Sequence, residues 1–396
     1  MKILVLNCGS SSLKYQLIDM ENEKVLASGK YERIGEEEAF ITHKASGIKE
    51  VIKHPAKNHT EAVDFALKQL LNPVYSVIET LDEIDAVGHR LVHGGEKINS
   101  SVIIDDHVVE VLKEYTDLAP LHNPSGIMGI EAIKEVMPNV TNVGVFDTAF
   151  HQTMPEENYI YPISYEYYKK YGIRKYGFHG TSHMYVSSRL AEIENKNIED
   201  LKIVNCHLGQ GSSICAIYKG KSIDTSMGLT PVAGLPMITR CGDIDPSVIT
   251  YLMKKENKTG EQIETELNNN SGLLGISELV PDFREIAESA KNGNHNAKLA
   301  IKIFENSIAE YIAKYATKMG GIDAITFTGG IGENNAFIRK DVCEKLNFMG
   351  VKIDDTANEN AKGEEKCISS KDSLVKIYMI PTNEELMIAR ETQRLI

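Results

Sequence analysis

Nowhere in the chain of 396 residues does an apolar run reach the roughly 18 needed to cross a bilayer, so no membrane span is expected. The opening Met1-Lys2-Ile3-Leu4-Val5-Leu6-Asn7 turns polar after four apolar residues, too short for the core of an export signal. Paired C-x-x-C spacing is missing as well: Cys8, Cys206, Cys215, Cys241, Cys343 and Cys367 are scattered, which argues against a disulfide framework or a zinc knuckle. The reducing cytoplasm is therefore the expected compartment. Basic residues are in deficit, 43 Lys and Arg against 56 Asp and Glu for a net charge of −13, so neither nucleic acid nor an anionic membrane is an expected partner. Any anionic ligand must be bound by local design. There is no G-x-x-x-x-G-K-[ST] loop and no correctly spaced dinucleotide fingerprint, which sets aside P-loop and Rossmann enzymes. No low-complexity linker divides the chain.

What is present is ordinary globular composition, 42% hydrophobic and 25% charged with a mean hydropathy of −0.24, enough to bury real cores. The length is about two to three times the commonest domain size, which predicts two domains with a cleft between them. A strand, a small-residue loop and a second strand open the chain: Ile3 to Leu6, then Asn7-Cys8-Gly9-Ser10-Ser11-Ser12, then Leu13 to Ile18. The same grammar returns in the second half as Lys202 to Cys206, His207-Leu208-Gly209-Gln210-Gly211-Ser212-Ser213, and Ile214 to Tyr218. Two such hairpins predict duplicated α/β domains. Helices are predicted over 59–71, with Thr60 as cap, over 124–136 behind an Asn123-Pro124 start, and over 295–319. Apolar runs at 84–88, 140–146 and 325–328 read as strands. The domains are placed at 1–150 and 151–382, with a last helix near 383–395 packing back on the first.

Gly and Ser directly after a strand expose backbone N–H groups, so Asn7 to Ser12, Gly209 to Ser213 and Gly329 to Asn334 are candidate phosphate cradles, against the plain alternative of tight turns. Arg90 in Gly88-His89-Arg90-Leu91-Val92-His93-Gly94-Gly95 and Arg240 in Thr239-Arg240-Cys241-Gly242-Asp243 stand among small residues, suited to gripping a carboxylate or a phosphoryl group. Their plain alternative is a salt bridge to Asp105, Asp243 or Asp245. His179, in Tyr176-Gly177-Phe178-His179-Gly180-Thr181-Ser182-His183, sits at a predicted helix entry and is placed to donate to an anion, whereas His183 reads as a structural histidine. Asp147 and Glu384 are carboxylates at element ends, where hydrated Mg²⁺ can sit.

Together these runs, with Leu121-His122-Asn123-Pro124, Phe146 to His151 and Asp282-Phe283-Arg284, resemble the acetate kinase family, and the resemblance covers nearly the whole chain. It implies two ribonuclease-H-like (actin-like ATPase) domains facing a central cleft, in a cytoplasmic homodimer that moves phosphate between ATP and acetate with Mg²⁺ or Mn²⁺. It further implies Asn7, Ser10, Ser12 and Lys14 near phosphates and metal, Arg90 and Arg240 at the acetyl phosphate end, and Asp147 and Glu384 as catalytic or metal-organising carboxylates. His179 falls on the transferring group, Val92, Leu121, Phe178 and Pro231 in the acyl pocket. His207, Gly209, Gln210, Gly211, Asp282, Phe283, Arg284, Gly330, Ile331, Gly332 and Asn334 fall on the nucleotide. The chain departs from the family pattern at Gln210, usually Asn, and at Ile238, usually Gly.

The residue types agree with that chemistry. A carboxylate is already ionised at neutral pH, so no base is needed, and direct in-line phosphoryl transfer reduces to alignment and charge neutralisation, with domain closure excluding water. The rival acceptors are propionate and butyrate. The rival of another class is a chaperone-like ATPase, disfavoured because two arginines facing the phosphates would be superfluous without an anionic second substrate.

Overall fold

The computed structural model describes residues 1–75, 77–120 and 122–396. They form two compact units, Met1–Gln152 with Asn383–Ile396, and Thr153–Thr382.

The first unit is built on an eight-stranded sheet. Its strands are β1 (Lys2–Gly9), β2 (Ser12–Asp19), β3 (Lys24–Glu32), β4 (Phe40–Ala45), β5 (Ile48–Lys53), β6 (Ala86–Leu91), β7 (Val102–Ile103) and β8 (Thr141–Phe146). They lie in the order β5-β4-β3-β2-β1-β6-β8-β7. The second unit holds β9 (Lys202–Leu208), β10 (Ser212–Tyr218), β11 (Lys221–Thr225), β12 (Ala324–Thr328), β13 (Lys366–Cys367) and β14 (Lys376–Met379). Their order is β11-β10-β9-β12-β14-β13. An antiparallel run, five strands (β1 to β5) in the first sheet and three (β9 to β11) in the second, is extended through its first member by two parallel strands: β1 pairs parallel with β6 and β6 with β8, as β9 does with β12 and β12 with β14. This repeated order is the duplicated α/β architecture expected from the two hairpins.

The parallel strands are buried on both faces, so they read as continuous apolar runs such as Ile3 to Leu6 and Val143 to Phe146. Helix His295–Met319 covers one face of the second sheet, with Phe304, Ile308 and Ile312 fully buried. In the first unit, helices His59–Leu70 and Asn123–Val136 pack together on β1 and β2. The last helix, Glu384–Leu395, lies against β6 so closely that a Cβ on Gly88 would meet Thr392 Oγ1 at 2.5 Å and Ile388 Cγ2 at 2.7 Å.

Two helix starts differ from expectation. Asn58, not Thr60, caps the first helix, its side chain accepting from the Glu61 N–H. Asn123 does not cap the helix it begins, because its side-chain oxygen accepts from the His93 N–H while its amide donates to the carbonyls of His93 and Leu112. All six cysteines are thiols. Among the described residues no helix is long and apolar enough to cross a membrane.

Three buried histidines give the first unit a pH dependence. Burial depresses His43, His89 and His93 from the ordinary 6.5 to about 4. Asn142 Oδ1 accepts from His89 Nε2 at 2.7 Å, and His93 Nδ1 accepts the Gly95 N–H at 3.0 Å. Between pH 6.5 and 4 the unfolded chain binds protons that the folded unit refuses, so stability is full above 6.5 and falls as pH drops, by about 1.4 kcal/mol per pH unit for each histidine. His89→Gln should flatten the decline by that amount. Hydrogen exchange of β1 and β6 amides at pH 7, 6 and 5 measures it, and an unchanged slope would contradict the assignment.

Candidate active site

The hairpin joining β1 to β2 turns on Ser10 and Ser11, with Asn7 already in the strand and paired to Lys14. The candidate cradle is thus shorter than the sequence implied, and Ser10 and Lys14 are exposed while Asn7 and Ser12 are partly covered. Arg90 is the penultimate residue of β6, and Asp147 follows the last residue of β8, so both side chains leave the carboxyl ends of adjacent parallel strands. They meet in a forked pair, Arg90 Nε to Asp147 Oδ1 at 3.3 Å and Nη2 to Oδ2 at 2.8 Å. The carboxylate is 4% exposed and the guanidinium 25%. Arg90 does have an ionic partner, then, although none of the three aspartates expected: Asp105 caps helix Asp106–Glu114, Asp243 receives the Gly234 N–H, and Asp245 the Ser247 N–H.

Glu384 opens the last helix, with Oε1 4.0 Å from Arg90 Nη2. That oxygen is buried without a hydrogen-bond partner. Burial raises the Glu384 carboxyl above the usual range, with Asp147 and Glu385 adding to the rise and Arg90 opposing it. An orphaned buried oxygen beside a second carboxylate fits a hard cation that takes oxygen ligands and keeps several waters. Val92, directly after β6, is partly buried, and Leu121 lies outside the described residues.

In the second unit His179 caps helix Gly180–Glu194 with a positive φ of 58°, a left-handed conformation that costs a histidine energy and points to a fixed role for its ring. The ring is stacked on His207 at 4.2 Å between centroids, and its Nδ1 is 2.9 Å from Ser213 Oγ. His207 Nδ1 meets Ser182 Oγ at 2.8 Å, and that hydroxyl also meets Thr382 Oγ1. The turn Gly209–Gly211 brings Gly211 to the same place: a Cβ there would lie 3.1 Å from Arg240 Nη1 and 3.5 Å from His179 Nε2. Glycine at this position lets the arginine and the histidine converge on bare backbone.

Arg240 differs sharply from Arg90. Its guanidinium is half-buried, donates weakly to the Pro231 carbonyl at 3.4 Å, and has no carboxylate within 4.0 Å among the described residues. Burial alone lowers its pKa. Phe178 is buried beside His179. Gln210 is exposed, its carbonyl receiving the Ile238 N–H at 3.3 Å. The Ile238 side chain joins the core under the loop, which braces the Arg240 segment.

Gly329 to Asn334 is a short helix rather than the loop expected from its glycines. Gly329 starts it at φ 78°, and the Glu333 carboxylate folds back to accept from the Gly329 N–H, the Thr328 hydroxyl and the Thr382 N–H. A Cβ on Gly330 would meet nothing within 4 Å, so its backbone faces open space. Ile331 and Gly332 are buried, and Asn334 ties its amide to the Gly330 carbonyl. Asp282 caps helix Phe283–Lys291 and holds Arg284 in a forked pair, while Phe283 packs inward against Phe304 and Phe337.

Arg339 was not singled out from the sequence. Fully buried, it donates to the Gly332 and Glu333 carbonyls at 2.7 and 2.9 Å and to Asn358, and so pins the far end of the glycine helix. A signal existed: Arg339 interrupts the buried helical stripe of Ile338, Val342, Cys343 and Leu346. Nothing in the sequence singles out Asn205 and Thr326, because their partners are distant along the chain.

Comparison with known proteins agrees across the whole length. A model described as the acetokinase family matches residues 2–390. An acetate kinase of Alkaliphilus metalliredigens is 55% identical over all of both chains, and one of Clostridium novyi is 54% identical over all of this chain and 98% of its own. Among solved structures, the acetate kinase of Porphyromonas gingivalis superposes with a TM-score of 0.96 at 46% identity, covering 100% of this chain and 99% of that one. A propionate kinase from Francisella tularensis gives 0.92 at 44% identity over all of both chains. Full-length identity above one half, together with these superpositions, means that the chain belongs to the acetokinase family.

Proposed function

We propose that this chain catalyses reversible, direct in-line transfer of the ATP γ-phosphoryl group to acetate, forming acetyl phosphate and ADP. The observation that carries the reading is the half-buried guanidinium of Arg240, held against Gly211 and His179 with no carboxylate among the described residues to neutralise it. A desolvated cation without an anion costs free energy in the empty site and repays it when a phosphoryl group arrives. His179 and the Gly209–Gly211 turn supply further donors, and the Gly330 backbone and Asp282 to Arg284 are assigned to adenosine. Arg90, its charge already balanced by Asp147, is assigned to orienting the carboxylate acceptor rather than to supplying new charge. Glu384, Asp147 and Asn7 are the residues that would hold Mg²⁺, which when bound would neutralise phosphate charge. A cytoplasmic homodimer is the assembly this reading expects.

Hydroxamate trapping of acyl phosphate tests the assignment: purified protein with Mg²⁺, acetate and ATP should accumulate trapped product, and pyrophosphate outperforming ATP in kcat/KM would overturn the donor. Ile238 favours ATP, since its side chain is spent in the core instead of obstructing the loop.

Two substitutions divide roles. Arg240→Ala should fold normally and lose about 2–4 kcal/mol of transition-state stabilisation, a fall in kcat of roughly 30- to 1,000-fold. Lower thermal stability with turnover retained would make the residue scaffold instead. Val92, Phe178 and Pro231 are assigned with Leu121 to the acyl pocket, where one methylene is worth roughly 1–3 kcal/mol. Val92→Ala should raise kcat/KM for propionate relative to acetate, and an unchanged ratio would remove Val92 from the pocket. Similarity to a propionate kinase makes this comparison the informative one.

A further inference from the structure

A chain of hydrogen bonds runs through the interior of the second unit and ends on His179. Thr326 Oγ1 on β12 lies 2.7 Å from Asn205 Oδ1 on β9. Asn205 Nδ2 lies 2.8 Å from His183 Nδ1, His183 Nε2 lies 2.8 Å from Ser213 Oγ on β10, and Ser213 Oγ lies 2.9 Å from His179 Nδ1. Thr326, Asn205, His183 and Ser213 are all fully buried.

The polarity of this chain follows from the chemistry of each link. The Asn205 amide nitrogen can only donate, so His183 Nδ1 must accept and the neutral ring carries its proton on Nε2. That Nε2–H donates to Ser213 Oγ. The serine hydroxyl, having accepted, turns its own proton toward His179 Nδ1. The lone pair of His179 Nδ1 is thereby engaged, and the proton of the neutral ring is left on Nε2, the atom near the Gly211 backbone and the Arg240 guanidinium.

We propose that Thr326, Asn205, His183 and Ser213 are positioning residues that fix the Nε2–H tautomer of His179, so that the ring is a hydrogen-bond donor whether neutral or protonated. The catalytic consequence rests on the phosphoryl-transfer reading above, because a developing phosphate charge is served by a donor and repelled by a lone pair. The tautomer itself does not rest on it. The relay also explains why His179 accepts a positive φ: swinging the ring out to relax the backbone would leave the buried Ser213 hydroxyl without the acceptor that His179 Nδ1 gives it.

A donor aimed at Nδ1 stabilises the neutral ring, so losing it should raise the His179 pKa. The other groups facing that ring are His207, stacked at 4.2 Å, and Arg240 across Gly211; both are retained in a Ser213 variant and so do not account for a change.

The experiment is ¹⁵N NMR of the histidine side chains in the full-length protein, with kinetics of the same samples. Wild type should show neutral His179 protonated on Nε2, and the Nδ1–H tautomer would overturn the proposal, independently of any activity. In Ser213→Ala the His179 pKa should rise, kcat should fall about tenfold with the nucleotide KM little changed, and Ser213→Thr should restore both. An unaltered pKa and unaltered kcat in Ser213→Ala would refute the relay. Should that variant fail to fold, Thr326→Val frees the Asn205 amide to rotate. His183 should then show both tautomers, and a single wild-type tautomer would count against the chain of donors. Absent acetate kinase activity in wild type would sink the functional reading while leaving the tautomer assignment standing.

Discussion

Parallel pairing between the first strand of each hairpin and the strands that follow it is the constraint on which the rest depends. A strand that must run parallel to β1 or β9 has to deliver its carboxyl end to the same edge of the sheet, where side chains leave the strands without disturbing the ladder. Asn7, Arg90 and Asp147 all emerge there in the first unit, and His207, Gly329 and Thr382 in the second. Residues far apart in sequence become neighbours because the ladder registers force their strand ends level: Arg90 pairs with Val145 and Thr328 with His207. The chemistry of each unit is thus gathered by backbone geometry before any side chain interacts.

The two arginines show what electrostatics then adds. Arg90 is bound by Asp147 in a forked pair that Glu384 extends, an arrangement in which the cation is balanced and its orientation fixed. Arg240 sits in a comparably enclosed position with a backbone carbonyl and the Met237 sulfur as its hydrogen-bond partners and, among the described residues, no carboxylate within 4.0 Å. A third buried arginine, Arg339, resolves the same problem by surrounding its guanidinium with carbonyl and amide oxygens, and burial still depresses it to about 10. Of these three, Arg240 is the one left with charge to spare, which is why it carries the functional reading.

Much of this was legible in one dimension. The hairpins were readable because apolar strands flanking glycine and serine have few other interpretations, and helix His295–Met319 because its apolar period persists for many turns. The failures have particular causes. Asn58 and Thr60 are both competent caps one residue apart from His59, and local sequence does not say which side chain finds the free N–H. Asn123 resembles a cap, but the His93 N–H from another segment claims its side-chain oxygen. The glycines after β12 read as a loop, yet a carboxylate four residues on folds back and closes a helical turn around them. The histidine relay was out of reach altogether, because each link joins a different element and its polarity is set by an asparagine whose partners are remote in sequence.

The first unit borrows its final 14 residues, Asn383–Ile396, from the far end of the chain, whereas the second runs without interruption from Thr153 to Thr382. Gly88, in the middle of the first sheet, waits for Ile388 and Thr392 to cover it. During vectorial synthesis the earlier-made unit is therefore the later one to be finished: its sheet leaves the ribosome with an uncovered apolar face, and the uninterrupted unit is complete before that face is sealed.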